Sequence, residues 1–355
     1  MKKLFTLLLL AAASHSLNAQ TIDAAAAHRY YELTDSLKAG KRLSDGTWNS
    51  FFKMDGNRQY IDNQAYDEKY LNNYRKAMEV VYMPENDSLL QARLKDPHNY
   101  YLTYLIHHYK EDEAALRTYL EGVTANPEGY LESMYASTYT MLPKRLHTKK
   151  PDFTVYLIAL NNDAVANRDN FVLNLWGEYQ FDKAKPGIVG GHELHHLLSR
   201  QKKYEVAEKD QSLLLMLQLL LNEGAPDLID KKYLVSPNVP EELQYGTYLL
   251  QLGERQMPKV DAAIKEMAAG TRTYTSQELK QQVIGMSGHV PGFYMADVIE
   301  RNGLRNKLVA HIDNPFQFIY LYNKAARKDK AKPYVFSEEA MAYLKKVESG
   351  AKVKN

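Results

Sequence analysis

The residues that could do chemistry lie in one short segment, Gly190 to His196, which reads G-G-H-E-L-H-H. It contains the pattern H-E-x-x-H, formed by His192, Glu193 and His196. On a helix this four-residue spacing places both imidazoles on one face, close enough to bind a single Zn²⁺ ion. Glu193 then lies beside the metal without binding it and can accept a proton from water. Because zinc lowers the pKa of its water towards ~7, a carboxylate is a sufficient general base there.

Two histidines leave a zinc site incomplete, so a third ligand is expected elsewhere. The metzincin extension needs Gly and His where this chain has Ser199 and Lys202, which excludes that class. Apolar spacing predicts helices over 186–206 and 211–223. If the chain reverses between them, two antiparallel helices bring Glu223 level with the second histidine of the motif. Glu223 is therefore the predicted third ligand, with a helix-terminal surface carboxylate as the alternative.

The pattern His192-Glu-x-x-His196 followed by Leu221-Asn-Glu-Gly-Ala225 resembles the gluzincin peptidases. In that group the Glu of such an N-E-G segment is the third zinc ligand, and the resemblance implies a zincin-like core. The sequence is most similar to a branch of secreted bacterial zinc-dependent peptidases of unknown function. The resemblance spans roughly residues 150–305, where Gly288 to Met295 and Ile299 to Gly303 match a glycine-punctuated downstream helix. The G-x-M-E-N element of related aminopeptidases is absent, which leaves endo- and exopeptidase activity open.

Three further residues are candidates for supporting roles. Asp227 follows the predicted third ligand by four residues, so its carboxylate could accept the second N–H of His192 or His196. A helix-cap or surface role for Asp227 is equally compatible with the sequence. His289 and Tyr294 lie where the glycine-rich segment returns, and either could stabilise an oxyanion opposite the base. The alternatives for these two are a loop histidine and a core tyrosine.

Helical periodicity dominates the remainder of the chain, and strand patterns are confined to the stretch before the motif. Phe153 to Leu160 is apolar on both faces and predicts a buried strand. Phe171 to Leu175 alternates and predicts a half-exposed edge strand that could pair with an extended peptide. The expected fold is therefore α+β, mostly helical, with a small sheet ahead of the H-E-x-x-H helix. The remaining predicted helices are 23–38, 64–82, 99–120, 241–267, 292–302 and 314–328.

Tyrosine is unusually abundant, and 13 of the 27 tyrosines lie between residues 60 and 139. Tyr66, Tyr70 and Tyr74 share one face of a helix because they are spaced four residues apart. Such a stripe could bind sugars or peptides by stacking. Tyrosine has an apolar body and a polar tip, so the pattern favours a seam between helices.

The first nineteen residues have the pattern of an export signal. Lys2 and Lys3 precede the apolar run Leu4 to Ala13, and cleavage is expected near Ala19/Gln20. We therefore expect a periplasmic or extracellular protein, and the absence of cysteine excludes a lipoprotein anchor. The predicted organisation is a signal peptide (1–19), a Tyr-rich helical region (20–150), a zinc-binding catalytic core (151–235) and a helical C-terminal region completing the cleft (236–355).

Composition excludes several other classes of protein. With no cysteine, the chain cannot form disulfides, Cys-ligated zinc sites or a catalytic thiolate. Its 45 basic and 43 acidic residues give no basic excess for nucleic-acid binding, and Lys2 and Lys3 account for the difference. The apolar run Leu213 to Leu221 is too short to span a membrane.

The sequence thus predicts an exported metallohydrolase that binds one Zn²⁺ per chain and cleaves peptide or protein substrates. Two alternatives remain open at this point. One is a non-catalytic exported binding protein that uses its Tyr-rich half. The other is a zinc hydrolase of non-peptide amides, because H-E-x-x-H specifies water activation and not the bond that is cut.

Overall fold

The computed structural model describes residues 20–354 except 151, 168, 236–243 and 286, so the predicted export signal lies outside the described residues. Its centre is a four-stranded sheet in the order β1-β2-β4-β3. Strands β1, β2 and β4 are parallel, and β3 pairs antiparallel with β4. The strands are β1 (Thr21–Asp23), β2 (Thr154–Ile158), β3 (Ala164–Ala166) and β4 (Asn170–Asn174).

The prediction that residues 171–175 form an edge strand is wrong, because β4 lies between β2 and β3. The alternating pattern fails at Asn174, a polar residue that is only 1% exposed. Its side-chain oxygen accepts the backbone N–H groups of Leu160 and Asn161 at 3.0 and 2.7 Å. Its amide donates to the carbonyl of Asp163 at 3.0 Å. A polar side chain that is fully hydrogen-bonded by backbone can be buried, and alternation cannot distinguish it from an exposed one.

Within the described residues, eight α-helices lie between β1 and β2. Side-chain caps fix several of their starts, as where Ser44 accepts the N–H of Thr47 and Asp67 accepts that of Tyr70. The predicted helix over 99–120 is divided in two at Asp112. The helices are α1 (Ala25–Lys38), α2 (Asp45–Phe52), α3 (Asp55–Asn63), α4 (Glu68–Tyr82), α5 (Asp87–Leu94), α6 (Tyr101–Glu111), α7 (Glu113–Ala125) and α8 (Pro127–Tyr139).

The tyrosines of this region pack between the helices and the end of β2. The rings of Tyr66 and Tyr70 stack 3.6 Å apart, whereas Tyr74 is fully buried. The hydroxyl of Tyr74 donates to the carbonyl of Ala159, and that of Tyr109 donates to the carbonyl of Asn161 at 2.7 Å. These hydroxyls therefore satisfy backbone carbonyls that follow the strand.

The second half of the chain adds further helices and a short ribbon. The predicted helix over 186–206 ends at Leu198, because the N–H of Lys202 bonds to the carbonyl of Asp313 (2.9 Å) and β5 pairs antiparallel with β6. The elements are α9 (Leu175–Asp182), α10 (Ile188–Leu198), β5 (Lys203–Glu205), α11 (Gln211–Gly224), α12 (Gly246–Ala269), α13 (Ser276–Glu278) with a π-helical turn (Leu279–Ile284), α14 (His289–Arg301), α15 (Arg305–Ala310), α16 (Pro315–Ala326), α17 (Glu338–Gly350) and β6 (Lys352–Lys354).

The α+β class with a mostly helical chain is confirmed, since 67% of it is helical around a small mixed sheet. Helix α10 carries the H-E-x-x-H segment and packs against α8, β3 and β4. Residues before 150 therefore contribute both a strand of the sheet and the helix behind the motif. No helix within the described residues combines the length and the apolar content needed to cross a bilayer.

Candidate metal centre

Two carboxylates from α9, the buried Glu178 and the half-buried Asp182, stand at the beginning of α10. Asp182 accepts the backbone N–H of Gly187 at 2.6 Å, and Gly187 has a left-handed φ of 70°. Glu178 accepts the hydroxyl of Tyr130 at 2.6 Å. Acidic groups are favourable at a helix N-terminus, where the unpaired N–H groups concentrate positive potential. They fix the start of the motif helix.

Replacing Asp182 by Asn is expected to flatten the pH dependence of stability. Burial raises the pKa of Asp182 from 3.8 to about 6, so the folded chain holds this proton more tightly than the unfolded chain does. Stability therefore decreases as the pH rises from about 4 to about 6, by about 3 kcal/mol for this group. Urea unfolding of the metal-free protein between pH 4 and 7 measures the effect. Asp62→Asn, at an exposed position, should keep the wild-type slope.

The predicted metal ligands come together in the structure. The Nε2 atoms of His192 and His196 lie 3.8 and 3.5 Å from Oε2 of Glu223. One ligand atom from each residue falls within 4.8 Å of the other two. Bonds of 2.0–2.1 Å in a tetrahedral zinc site place ligand atoms about 3.4 Å apart. The three side chains therefore fit a zinc ion after small adjustments.

The charge states of two of these residues, His196 and Glu223, also suit a cation. Burial lowers the pKa of His196 to about 4, so its imidazole is neutral near pH 7 and retains a lone pair. Burial acts to raise the pKa of Glu223, but His192, His196 and His289 outweigh it and hold that pKa below its usual value. The cluster thus offers a neutral nitrogen and an ionised carboxylate.

A different packing from the predicted helix hairpin delivers Glu223. Helix α10 packs on α8 and the sheet, whereas α11 packs on α14 and α16, so the antiparallel α10–α11 pair is wrong. Glu223 reaches the histidines because α11 ends beside α10. There α11 and α14 touch at two glycines: a Cβ on Gly224 would lie 2.4 Å from the carbonyl oxygen of Gly292. This contact also brings the start of α14, with His289, onto Glu223.

Gly224→Ala is expected to destabilise the protein by about 1–3 kcal/mol, because the added methyl group meets backbone that cannot rotate away. It should also displace α14 and lower peptide turnover even where the protein remains folded. Thermal unfolding and kcat/KM of the purified variant measure the two effects. Gly122→Ala, at a helical glycine with open space around it, should leave turnover unchanged and should not lower the unfolding temperature, since alanine favours a helix.

The second nitrogen of His192 faces Asp230, a residue that sequence reasoning missed. His192 Nδ1 lies 3.0 Å from Asp230 Oδ1 and 3.6 Å from Asp227 Oδ1. The predicted acceptor, Asp227, is thus the more distant of the two carboxylates. A donor Nδ1–H directed at Asp230 leaves Nε2 of His192 free to face Glu223. In the sequence, Asp230 is marked only as a second carboxylate seven residues after Glu223. Helical periodicity does not predict its direction, because the chain forms 3₁₀ turns over 226–228 and 231–235.

Asp227 instead faces His289, the first predicted oxyanion-stabilising residue. His289 Nδ1 lies 3.1 Å from Asp227 Oδ1, and His289 Nε2 lies 3.2 Å from Glu223 Oε2. The His289 side chain is 34% exposed, so it borders both the cluster and solvent. Lys231 Nζ approaches Asp227 Oδ1 to 2.6 Å. Asp227 is therefore a shared partner of His289 and Lys231.

Tyr294, the other candidate, does not join this cluster. Its ring lies in the seam between α12, α14 and α16, with its centroid 6.3 Å from that of Tyr322 and 6.0 Å from the guanidinium of Arg301. It is 3% exposed. The sequence placed His289 and Tyr294 in the same segment, but five residues of helix turn them to different faces.

A second group, His192, Asp227 and His289, also gathers within 4.8 Å. It is the weaker candidate because the Lys231 ammonium lies 2.6 Å from Asp227 Oδ1 and would repel a metal cation. The group containing His196 and Glu223 has no lysine or arginine among its ion pairs in the described part of the chain.

Glu193 lies beside the ligands and is 8% exposed. Burial raises the pKa of Glu193 to about 7; His192 opposes this rise and the Glu223 carboxylate reinforces it. A carboxyl group that titrates near neutral pH can both accept and release a proton. The arrangement thus combines three potential metal ligands with one potential acid–base group.

Comparison with known proteins assigns the chain to a family. A family described as "Putative zinc dependent peptidase (DUF5700)" matches residues 48–331, most of the chain. The chain belongs to this family. No curated protein and no solved structure matches it. The DUF5700 match begins in α2, so it includes the Tyr-rich helices as well as the segment from His192 to His289. It thus extends well upstream of the region over which the sequence resembles the gluzincins.

Proposed function

We propose that this DUF5700 protein is an exported zinc-dependent peptidase of the gluzincin type. The observation that carries the proposal is the convergence of His192, His196 and Glu223 within 4.8 Å, with Glu193 buried beside them. The family description, which names zinc and peptidase activity, supports the same conclusion.

His192, His196 and Glu223 would hold one zinc ion and leave a fourth position open to water or substrate. Bound there, zinc would polarise a peptide carbonyl and lower the pKa of water. Asp230 keeps His192 oriented by accepting from Nδ1, so that Nε2 faces the other ligands.

Glu193 accepts a proton from the attacking water and then donates it to the leaving amine. Its pKa near 7 suits both transfers, because neither protonation state is strongly favoured at neutral pH. Its burial excludes bulk water from the transfer.

His289 is the donor best placed to stabilise negative charge on the carbonyl oxygen. Its Nδ1 donates to Asp227, and its Nε2 faces the ligand cluster. When both ring nitrogens carry protons, Nε2–H can donate to the developing oxyanion. Tyr294 packs against Tyr322 and Arg301 instead and is not assigned this role.

The strand best placed to pair with an extended peptide is β3. It forms the edge of the sheet next to β4, and α10 packs against it. The outer edge of β3 offers backbone N–H and C=O groups to an extended substrate. This moves the strand-pairing hypothesis from residues 171–175 to residues 164–166.

Export rests on the sequence of residues 1–19, with its positive start, apolar run and small residue before the cut. N-terminal sequencing of the protein from a fractionated host should find a mature chain that starts near Gln20.

The decisive experiment combines metal analysis with a peptide-library digest of the purified protein. One zinc per chain, and cleavage that stops on chelation and returns with zinc, would support the proposal. Zinc with hydrolysis of non-peptide amides alone would overturn the peptidase assignment. A folded protein without zinc and without cleavage would overturn the enzyme assignment and favour a binding protein.

A further inference from the structure

Lys231 lies directly behind the candidate metal centre, at the start of a 3₁₀ turn, with its side chain 19% exposed. Its Nζ is 2.6 Å from Asp227 Oδ1 and 3.6 Å from Asp230 Oδ2. Its backbone N–H also donates to Asp230 Oδ1 at 2.7 Å. One residue thus contacts two buried carboxylates through both its side chain and its backbone.

The two carboxylates face different histidines. Asp230 Oδ1 lies 3.0 Å from Nδ1 of His192, a predicted metal ligand. Asp227 Oδ1 lies 3.1 Å from Nδ1 of His289, the candidate oxyanion donor. Each functional imidazole is therefore connected to the same ammonium group through its nearest carboxylate, Asp230 for His192 and Asp227 for His289.

Without a cation this arrangement would be unfavourable. Asp227 is fully buried and Asp230 nearly so, and both approach His192 Nδ1, so their charges repel at short range. Within the described residues, no lysine or arginine other than Lys231 forms an ion pair with Asp227 or Asp230. Burial acts to lower the pKa of Lys231, but Asp227 and Asp230 outweigh it and raise that pKa above its usual value. The ammonium therefore remains charged.

We infer that Lys231 is a positioning residue that orients His192 and His289 together by holding Asp230 and Asp227 in place. The inference rests on the proposed function for the roles of the two histidines. The geometry of the clamp, Lys231 with its two carboxylates, can be tested without metal or substrate.

The first test measures zinc affinity of Lys231→Met by competition with a chromophoric chelator. Loss of a group that supports a metal ligand typically weakens binding by about 10- to 100-fold, and that is the expected result. At saturating zinc, kcat should fall while KM changes little, because His289 acts on the transition state. Lys232→Met is the matched control: its ammonium lies over the ring of Tyr233 (5.4 Å) and should leave zinc affinity unchanged.

A double variant separates a positioning role from a general structural one. If Lys231 acts through Asp230, Asp230→Asn with Lys231→Met should lose no more zinc affinity than the worse single variant. Independent roles would multiply the two losses and would overturn the inference. This double variant also removes one charge of each sign. If Lys231→Met alone does not fold, the double variant is compared with Asp230→Asn: equal zinc affinity supports the inference, and a further loss overturns it.

Nitrogen NMR of labelled histidines in the metal-free protein keeps the test independent of enzymatic activity. Wild-type protein and Lys232→Met should show protected Nδ1–H signals for both His192 and His289, and Lys231→Met should lose both. Retention of either signal in a folded Lys231→Met variant would overturn the shared clamp. Absence of zinc binding in wild-type protein would instead overturn the proposed function.

Discussion

Replacing Glu193 by Gln is expected to abolish peptide hydrolysis while leaving bound zinc unchanged. Gln has nearly the same shape but cannot accept a proton, and Glu193 is not one of the three converging ligands. Loss of a positioned general base typically lowers turnover by about 10² to 10⁴-fold. The measurement is kcat/KM on the best library peptide, beside zinc content by elemental analysis.

Glu208→Gln is the matched control for this substitution. Glu208 is exposed in the connection between α10 and α11, so the same chemical change should leave both activity and zinc as in wild type. Retention of turnover by a zinc-loaded Glu193→Gln protein would remove Glu193 from the mechanism.

The second large effect is expected for Glu223→Gln, which should lose zinc. The amide keeps the size of the side chain but removes the charge that faces three histidines. Removing a residue that only hydrogen-bonds to a metal ligand typically weakens metal binding by about 10- to 100-fold. The loss for Glu223→Gln should be larger, because Glu223 is itself a predicted ligand. Chelator competition gives the affinity, and activity should fall in proportion when zinc is limiting.

Asp227→Asn distinguishes between the two possible groups of metal ligands. If the metal were held by His192, Asp227 and His289 instead, Asp227→Asn would lose the metal and Glu223→Gln would keep it. We expect the reverse order of effect, with Asp227→Asn losing less zinc than Glu223→Gln.

The part of the site that the sequence predicts best is the part fixed by short-range geometry. His192 and His196 share a face of α10 because any helix places residues four apart on one side. Glu223 was found next to them although the helix hairpin used to place it does not exist. The local sequence, a carboxylate between an apolar helix and a glycine, was therefore a better guide to Glu223 than its position in an assumed helix pair.

The parts that could not be predicted depend on contacts between distant segments. Asp230 reaches His192 across consecutive 3₁₀ turns, for which sequence periodicity has no rule. The end of α10 at Leu198 is set by a backbone hydrogen bond to Asp313, more than a hundred residues away. Asn174 is polar yet buried because the backbone at the end of β2 supplies its hydrogen bonds. Local pattern carries none of this information.

The position of β1 in the sheet has a consequence for timing. Thr21 pairs with Thr154, 133 positions later, so the first strand has no partner until that residue has been made. At about 5–20 residues per second, ribosomal synthesis of this interval takes on the order of 10 s. Throughout that delay the start of the chain stays outside any native sheet, and closing such a long loop slows folding further.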